Sequence, residues 1–317
     1  MTRVVLAYSG ALADSLAIPW IAERYGAEVV AVTMDLGQPK DVLEEIRDRA
    51  LATGALRAHV VDARDLYLRE LVLRGLRAGM LWHGGASMAA ALAVPLVAEK
   101  LVEIARIEHA PAVAHADADG ADAPIDRVLH AIDSSLDVKA PAGEWAMTTE
   151  QQIAYAHERH VLLPAEISGG VAVRAAGAYP GEPALVDITF ERGTPIAINR
   201  VIMPIGDLVT SLEILTTAHG VRAAAFSALH LAHGSLQQAV LSPHAHEFSG
   251  QVAEQYVRVL RDGSWFTPLR HALDAFVDVV QERVSGVVRL KLFKGECDVV
   301  SVEASPLRPK TIALAKA

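Results

Sequence analysis

The sequence predicts an α/β protein with two domains, a parallel-sheet domain over residues 1–163 and an α+β domain over residues 164–317. Three observations support this prediction. At 317 residues the chain is too long for one ordinary core. In the first half, short apolar runs alternate with amphipathic stretches, as in parallel sheets covered by helices. A proline- and glycine-rich stretch over residues 164–183 then interrupts the alternation.

The first domain is predicted to contain five strands joined by helices. Apolar runs rich in valine and alanine predict strands at Val4–Tyr8, Glu28–Met34, Ala58–Asp62, Ala112–His115 and Val138–Ala140. Helical periodicity predicts helices over Ser15–Tyr25, Lys40–Thr53, Ala63–Leu81 and Pro95–Glu108. Ligands of such sheets bind beyond the carboxyl ends of the strands. The loops after Tyr8, Met34 and His115 are therefore expected to carry the function.

The second domain is predicted to combine two hairpins with helices. Turn signals at Arg192-Gly193 and Lys294-Gly295 predict that the hairpins pair Ala184–Phe190 with Pro195–Asn199 and Val287–Phe293 with Asp298–Val302. Helices are predicted over Ile205–His219, Ala253–Arg261 and from Pro268 to about Val284.

Composition restricts the classes of partner. The formal net charge of −9 argues against a nucleic-acid partner, because no basic stripe is present to neutralise phosphates. No apolar stretch approaches the roughly 20 residues that span a bilayer, so no membrane partner is expected. The single cysteine, Cys297, excludes an internal disulfide framework and fits a reducing compartment. We expect a cytoplasmic protein with a small-molecule substrate.

The first strand leads into a short loop, Ser9-Gly10, ahead of a helix. Backbone N–H groups at such a helix start point at an anion, and glycine allows close approach, so the loop suits a phosphate. A strand–helix turn with a single glycine is also an ordinary turn. Asp14 likewise fits an ordinary helix cap.

Four segments, in chain order, resemble argininosuccinate synthases. Ala7 to Ser15 is similar to the AYSGGLDTS pyrophosphate loop of that family, and Gly26 to Gln38 resembles its second strand and adenine-side loop. Pro95 to Arg106, with Val113 to His115, is similar to a later helix and strand, and Gly263 to Gly295 is close to family sequence throughout. The chain is identified on these segments as a divergent, shortened member of the family.

The resemblance implies an ATP-pyrophosphatase domain, of the adenine nucleotide α-hydrolase-like type, followed by a synthetase domain. It also implies a homo-oligomer, either a dimer or a tetramer. The family activates the ureido oxygen of citrulline with ATP, and the amino group of aspartate then displaces AMP. ATP and Mg²⁺ are the implied cofactors, with no protein-bound metal site. The implied cofactor-binding residues are Ala7, Tyr8, Ser9, Gly10, Asp14, Ser15, Met34, Asp35, Gln38 and His115.

All three ligand-binding loops depart from the family pattern. In the phosphate loop Ala11, Ala13 and Asp14 replace a glycine, an aspartate and a threonine, so weakened ATP binding is expected. In the citrulline segment small apolar side chains replace donors for a carboxylate, and in the third loop an aspartate replaces an arginine. The altered substrate pocket is expected to include Trp82, Ala86, Ala90, Ala91, Val94, Asp122 and Asp126.

Several polar clusters have two interpretations. The acidic third loop (Asp117, Asp119, Asp122 and Asp126) could ligate Mg²⁺ or Ca²⁺, but its spacing does not match a calcium loop, and a solvated loop is favoured. The histidines from His230 to His246 could bind zinc, or could be unrelated polar positions. Asp14, His83 and His115 are candidate catalytic residues, although His83 also fits an ordinary surface histidine.

Two hypotheses about function follow. In the first, the chain is an enzyme repurposed for a different, less polar small molecule in a specialised biosynthetic pathway, using ATP-dependent C–N ligation. In the second, it is a non-catalytic relative that serves as a binding or scaffold protein. The replacement of polar pocket residues by small apolar ones, within an intact core, favours the first hypothesis. Authentic argininosuccinate synthesis is the least favoured activity.

Overall fold

The computed structural model describes residues 2–117, 119, 123–145, 147–162, 180–221 and 224–305. Asp122, most of the predicted boundary loop and the last residues of the chain lie outside these ranges. The chain divides into two compact units, each assembled from several segments. The first comprises Met1–Leu71, Ala89–Gly177 and Val257–Arg270, and the second comprises Val72–Met88, Ala178–Tyr256 and His271–Ala317.

The first part of the chain alternates strands and helices as predicted. In chain order its elements are β1 (Thr2–Ala7), α1 (Leu12–Tyr25), β2 (Ala27–Asp35), α2 (Lys40–Ala52), β3 (Arg57–Asp62), α3 (Arg64–Leu66), a π-helical stretch (Tyr67–Val72), α4 (Leu73–Arg77), β4 (Trp82–His83), β5 (Ala86–Ser87), α5 (Ala89–Ile107), β6 (Ala112–Ala114), α6 (Pro124–Ile132), β7 (Asp137–Lys139), α7 (Pro141–Trp145) and α8 (Thr149–Glu158).

The second part combines antiparallel strands with four long helices. Its elements are β8 (Ala184–Glu191), β9 (Thr194–Ile198), β10 (Val201–Ile202), α9 (Ile205–Ala218), α10 (Ala224–Val240), α11 (Pro243–Arg261), α12 (Pro268–Gln281), β11 (Gly286–Phe293) and β12 (Glu296–Ala304).

The first unit is built on a five-stranded parallel sheet in the order β3-β2-β1-β6-β7, which confirms the predicted fold class. β1 is the central strand, where Val5 pairs with Val30 on one side and with Val113 on the other. These three valines are fully buried, as expected for a sheet with helices on both faces. The carboxyl ends of β1, β2 and β6 therefore meet at one edge of the sheet.

The second unit contains a five-stranded antiparallel sheet in the order β10-β9-β8-β11-β12, in which both predicted hairpins are confirmed. Along β11 the side chains alternate, with Val288, Leu290 and Leu292 buried. Arg289 lies between two of these buried positions, on the other face of the strand, and donates two hydrogen bonds to Asp187 on the neighbouring β8, at 2.6 and 2.8 Å. The buried positions of β11 pack against α10.

Three helix predictions were wrong in their bounds. The helix predicted over Ala63–Leu81 is interrupted by the π-helical stretch and ends at Arg77. α5 begins at Ala89 rather than at Pro95, because alanine-rich sequence favours helix strongly enough to include a proline that cannot donate to the preceding turn. The helix predicted to begin at Ala253 begins ten residues earlier, at Pro243.

No helix was predicted from the sequence where α10 lies. Its histidines and glycine weaken both the helix propensity and the apolar periodicity, so tertiary packing decides its conformation. Among the residues that the structure describes, no helix has the length and apolar character needed to cross a membrane.

A cluster of charged side chains joins the end of α5 to two strands at the amino-terminal edge of the parallel sheet. Glu108 is only 3% exposed. Nη1 of Arg57 donates to both of its carboxylate oxygens, at 2.9 and 2.8 Å, and Nη1 of Arg3 lies 3.3 Å from Oε2. Nε2 of His59 lies 3.1 Å from Oε1. Burial favours the protonated acid, but the hydrogen bonds from Arg57 and His59 outweigh it and lower the pKa of Glu108.

We predict that Glu108→Gln destabilises the protein by about 1.5–3 kcal/mol at pH 7, the range for hydrogen bonds to charged groups. Because the pKa of Glu108 is lower in the folded state, its contribution is present above the unfolded-state pKa and is lost as the pH falls through the folded-state value. Urea unfolding at pH 7 and at about pH 3.5 measures both effects. Glu99→Gln, an exposed position on α5, is the matched control. Equal losses at both pH values would contradict this account.

Candidate functional site

A cavity of about 410 Å³ lies at the carboxyl edge of the parallel sheet, within the first unit. This volume lies in the range of small-ligand pockets. The β1–α1 loop, the end of β2, the loop after β6 and parts of four helices form its walls. The residues that line it are Ala7, Tyr8, Ser9, Ala11, Ala13, Asp14, Val32, Thr33, Met34, Leu36, Gln38, Ile46, Val97, His115, Ala116, Asp117 and Ile125.

The loop after β1 turns sharply at Gly10. Its φ is +83°, a conformation that side chains with a Cβ rarely adopt. A Cβ at this position would lie 2.9 Å from Cγ1 of Ile46, which is tighter than real contacts of this kind. Nη1 of Arg49 donates to the Gly10 carbonyl oxygen at 2.8 Å and fixes the turn from α2. The loop therefore requires glycine at this position.

Buried hydroxyl groups support the loop from beneath. The Tyr8 and Ser15 hydroxyl oxygens lie 2.9 Å apart, and the Ser15 hydroxyl donates to the Ala11 carbonyl oxygen at 3.0 Å. Thr33 donates to the Tyr8 carbonyl oxygen at 2.8 Å and joins β2 to the loop. Burial raises the pKa of Tyr8, so its hydroxyl stays protonated at neutral pH. Ser15 is fully buried and serves the loop itself.

The carboxylate of Asp14 folds back onto the loop. Its Oδ2 accepts hydrogen bonds from the backbone N–H of Ser9 at 2.7 Å and from the Ser9 hydroxyl at 2.6 Å. Although Asp14 keeps some solvent exposure, protein atoms surround it densely, and the lost hydration raises its pKa despite the two bonds from Ser9. The nearby Asp117 carboxylate raises it further. Both donors of Ser9 in the β1–α1 loop are thus already bonded to a carboxyl group of the protein.

The wall formed by the end of β2 is largely apolar. Val32, Met34 and Leu36 line it, with Ile46, Val97 and Ile125 contributed by neighbouring helices. Gln38 closes the β2–α2 turn, since its Nε2 donates to the Met34 carbonyl oxygen at 3.2 Å and its Oε1 accepts from the Leu36 N–H at 2.7 Å. Asp35 lies outside the cavity lining and accepts from the Gly37 N–H at 2.9 Å.

On the opposite side, His115 and Asp126 are both buried. His115 Nδ1 accepts a hydrogen bond from the Asp117 N–H at 3.3 Å, which places the proton of the neutral ring on Nε2. That Nε2 lies 3.7 Å from Oδ2 of Asp126, whose Oδ1 lies 3.2 Å from Nε2 of His130. Burial lowers the pKa of His115 although the Asp117 and Asp126 carboxylates oppose the change. His115 is therefore neutral at pH 7.

Of the residues predicted for the substrate pocket, Asp126 lies beside the cavity-lining His115, and none of those that the structure describes is itself a lining residue. Ala90, Ala91 and Val94 occupy the first turns of α5, and only Val97 from that helix lines the cavity. Trp82, Ala86 and His83 belong to the second compact unit, and Asp122 lies outside the described residues. In that unit Nδ1 of His83 lies 3.5 Å from Oε1 of Glu254.

The histidines between His230 and His246 form no zinc site in the part of the chain that the structure describes. Within that part, no group of three or more His, Cys, Asp or Glu side chains could hold a metal ion. His233 is buried, and its Nε2 lies 2.9 Å from Oε1 of Gln281. Burial lowers the pKa of His233 to about 4, so this ring is a neutral core residue.

Several lining residues were not singled out from the sequence. Thr33 and Leu36 lie at the carboxyl end of β2, and the rule that ligands bind beyond strand ends could have identified them. Ile46, Val97 and Ile125 project from helices that are distant in sequence. No local signal distinguishes these three from other core positions, because only the tertiary packing brings them to the cavity.

A parallel sheet with a glycine turn after its central strand and an apolar cavity beside that turn is typical of α/β proteins whose ligands bind at the carboxyl edge of the sheet. Comparison with models of protein families then identifies the family within this class. Residues 3–162 match the model of the arginosuccinate synthase N-terminal HUP domain, and residues 221–307 match that of the C-terminal domain.

Individual relatives match this chain in sequence over nearly its whole length. The chain is 33% identical to the argininosuccinate synthase of Geobacillus kaustophilus, over 96% of this chain and 86% of that protein. It is 33% identical to the enzyme of Pelotomaculum thermopropionicum, over 96% and 88%, and 30% identical to that of Oceanobacillus iheyensis, over 95% and 84%. The chain belongs to the argininosuccinate synthase family.

We predict that Gly10→Ala destabilises the protein by about 1–2 kcal/mol for the left-handed backbone, with a further loss from the contact with Ile46. Thermal unfolding measures this loss. Gly54→Ala is the matched control, because its φ is +108° but no atom lies within 4 Å of the added methyl group. If both variants lose the same stability, close packing against Ile46 is not what requires glycine in the loop.

Proposed function

We propose that this chain is an argininosuccinate-synthase relative repurposed for a small-molecule substrate less polar than citrulline and aspartate. Its cavity would hold the adenine-containing ligand of the family, and the proposed ligand contacts are Ala7, Tyr8, Ser9, Gly10, Asp14, Met34, Gln38 and His115. We also propose a dimer or a tetramer, and a domain boundary near residue 163. The N-terminal family model ends at residue 162, which supports that boundary.

The charge of the cavity lining is the observation that carries the proposal. Asp14 and Asp117 are both acidic, and no lysine or arginine is among the described residues of the lining. Two amino acid carboxylates and a triphosphate would therefore enter a site without cationic partners. The small apolar side chains of Ala90, Ala91 and Val94 support the same conclusion for the segment expected to bind substrate.

ATP-dependent C–N ligation is the chemistry that membership of the family favours. When bound, ATP supplies the adenylyl group that activates a substrate oxygen, and Mg²⁺ offsets phosphate charge. In this chain Gly10 would allow the α-phosphate to approach the loop backbone. His115, neutral and with its proton on Nε2, would donate a hydrogen bond rather than accept a proton at that atom. His83 has no comparable support, since it is not a lining residue of this cavity and its Nδ1 lies 3.5 Å from Oε1 of Glu254 in the second unit.

A non-catalytic role is the second candidate, and the contact between Asp14 and Ser9 favours it. A carboxylate that holds both donors of Ser9 competes with a phosphate for them. A protein of this kind would bind a ligand or another protein without turnover.

Calorimetric titration with ATP and with adenosine, each with and without Mg²⁺, tests the proposal together with an assay of pyrophosphate release. We expect adenosine to bind and citrulline plus aspartate to produce no pyrophosphate. Pyrophosphate release at ordinary rates with these two substrates would contradict the altered pocket. Absence of binding by either adenine ligand would contradict the adenine site itself.

Pyrophosphate release with a less polar substrate pair distinguishes the two candidate functions. A panel of oxygen acceptors without a carboxylate, combined with simple amines, would be assayed in the presence of ATP and Mg²⁺. Turnover of any pair favours the repurposed ligase. Adenine-ligand binding with no turnover across the panel favours the non-catalytic relative.

A further inference from the structure

We infer that the cavity in the first unit binds an uncharged nucleoside more tightly than a nucleoside polyphosphate, with Asp14 as the residue that sets this preference. The inference rests on the proposed adenine site and specifies the ligand of that site. Three observations support it: the hydrogen bonds from Ser9 to Asp14, the negative charge of the cavity lining and the apolar wall at the end of β2.

The first observation concerns the donors that a phosphate would use. The Ser9 N–H and hydroxyl both donate to the same oxygen of Asp14, at 2.7 and 2.6 Å. Charge-assisted bonds of this length are the strong class. A phosphate oxygen at this loop must displace the carboxylate and leave it without these two partners. The β1–α1 loop therefore already has a carboxyl group bound at Ser9, and that group belongs to the chain.

The second observation concerns electrostatic repulsion. Asp14 and Asp117 both line the cavity, and the described part of its lining includes no lysine or arginine. Arg49 contacts the turn, but its guanidinium donates to the Gly10 carbonyl oxygen and pairs with Glu45 at 2.5 Å. Each added phosphate therefore brings negative charge towards two carboxylates without a free cation from the loop or the lining. Affinity should fall from nucleoside to monophosphate to triphosphate.

The third observation is that the rest of the cavity still suits a flat, uncharged ligand. Val32, Met34, Leu36, Ile46 and Val97 present apolar surface, which favours stacking and burial of a purine base. The cavity volume of about 410 Å³ lies within the range of pockets that bury small ligands. A ribose hydroxyl near the loop could donate to the second oxygen of Asp14, a role that a phosphate cannot take.

Isothermal titration of the full chain with adenosine, AMP and ATP, each with and without Mg²⁺, tests the inference. We expect adenosine to bind at least tenfold more tightly than ATP. Asp14→Thr removes the carboxylate, and Asp14→Asn keeps its shape without its charge. Both should raise the affinity for ATP, by at least tenfold for Asp14→Thr, and neither should raise the affinity for adenosine.

Asp65→Asn is the matched control, because it removes one exposed aspartate of the first unit that does not line this cavity. It should change neither affinity, and circular dichroism confirms that each variant is folded. Tighter binding of ATP than of adenosine by the unmodified chain would overturn the inference and leave the adenine site standing. An unchanged ATP affinity in both Asp14 variants would also overturn it. Failure of adenosine to bind any folded variant would overturn the proposed adenine site as well.

Discussion

The burial of β1 on both of its faces is the constraint on which the first unit depends. A central parallel strand must pair on both edges and pack on both faces, so a shift in register would break two ladders at once. Its pairing with β2 and β6 brings the loops that follow the three strands to one edge. The cavity lies where these loops meet, and the lining residues at the strand ends take their positions from that register.

Local chemistry then decides what the cavity can hold. The Gly10 turn and its support by Tyr8, Ser15 and Thr33 form the scaffold of a phosphate loop. Asp14 changes the character of that scaffold without changing its shape, because its carboxylate bonds to the donors and adds negative charge. Shape and charge thus indicate different ligands. Charge decides, because an anion inside a partly desolvated loop repels a second one strongly.

The sequence predicted the fold better than it predicted the site. Strands such as Val4–Tyr8 and Glu28–Met34 carry their own signal, since continuous apolar runs are typical of buried parallel strands. Asp14 could be located in the loop from the sequence, but its bond to Ser9 could not, because a helix start accommodates an aspartate in several rotamers. Ile46 and Val97 could not be assigned to the cavity from the sequence, because their neighbours come from distant segments. The same reason explains why α10 was not predicted.

The charged cluster around Glu108 lies at the opposite edge of the parallel sheet from the cavity. Arg3, Arg57 and His59 connect the starts of two strands to the end of α5, and none of the three lines the cavity. The interactions that hold the sheet together are therefore spatially separate from the residues that select a ligand. An evolving protein with this layout can exchange side chains that face the cavity, while it keeps the glycine of the turn, and still inherit a folded scaffold.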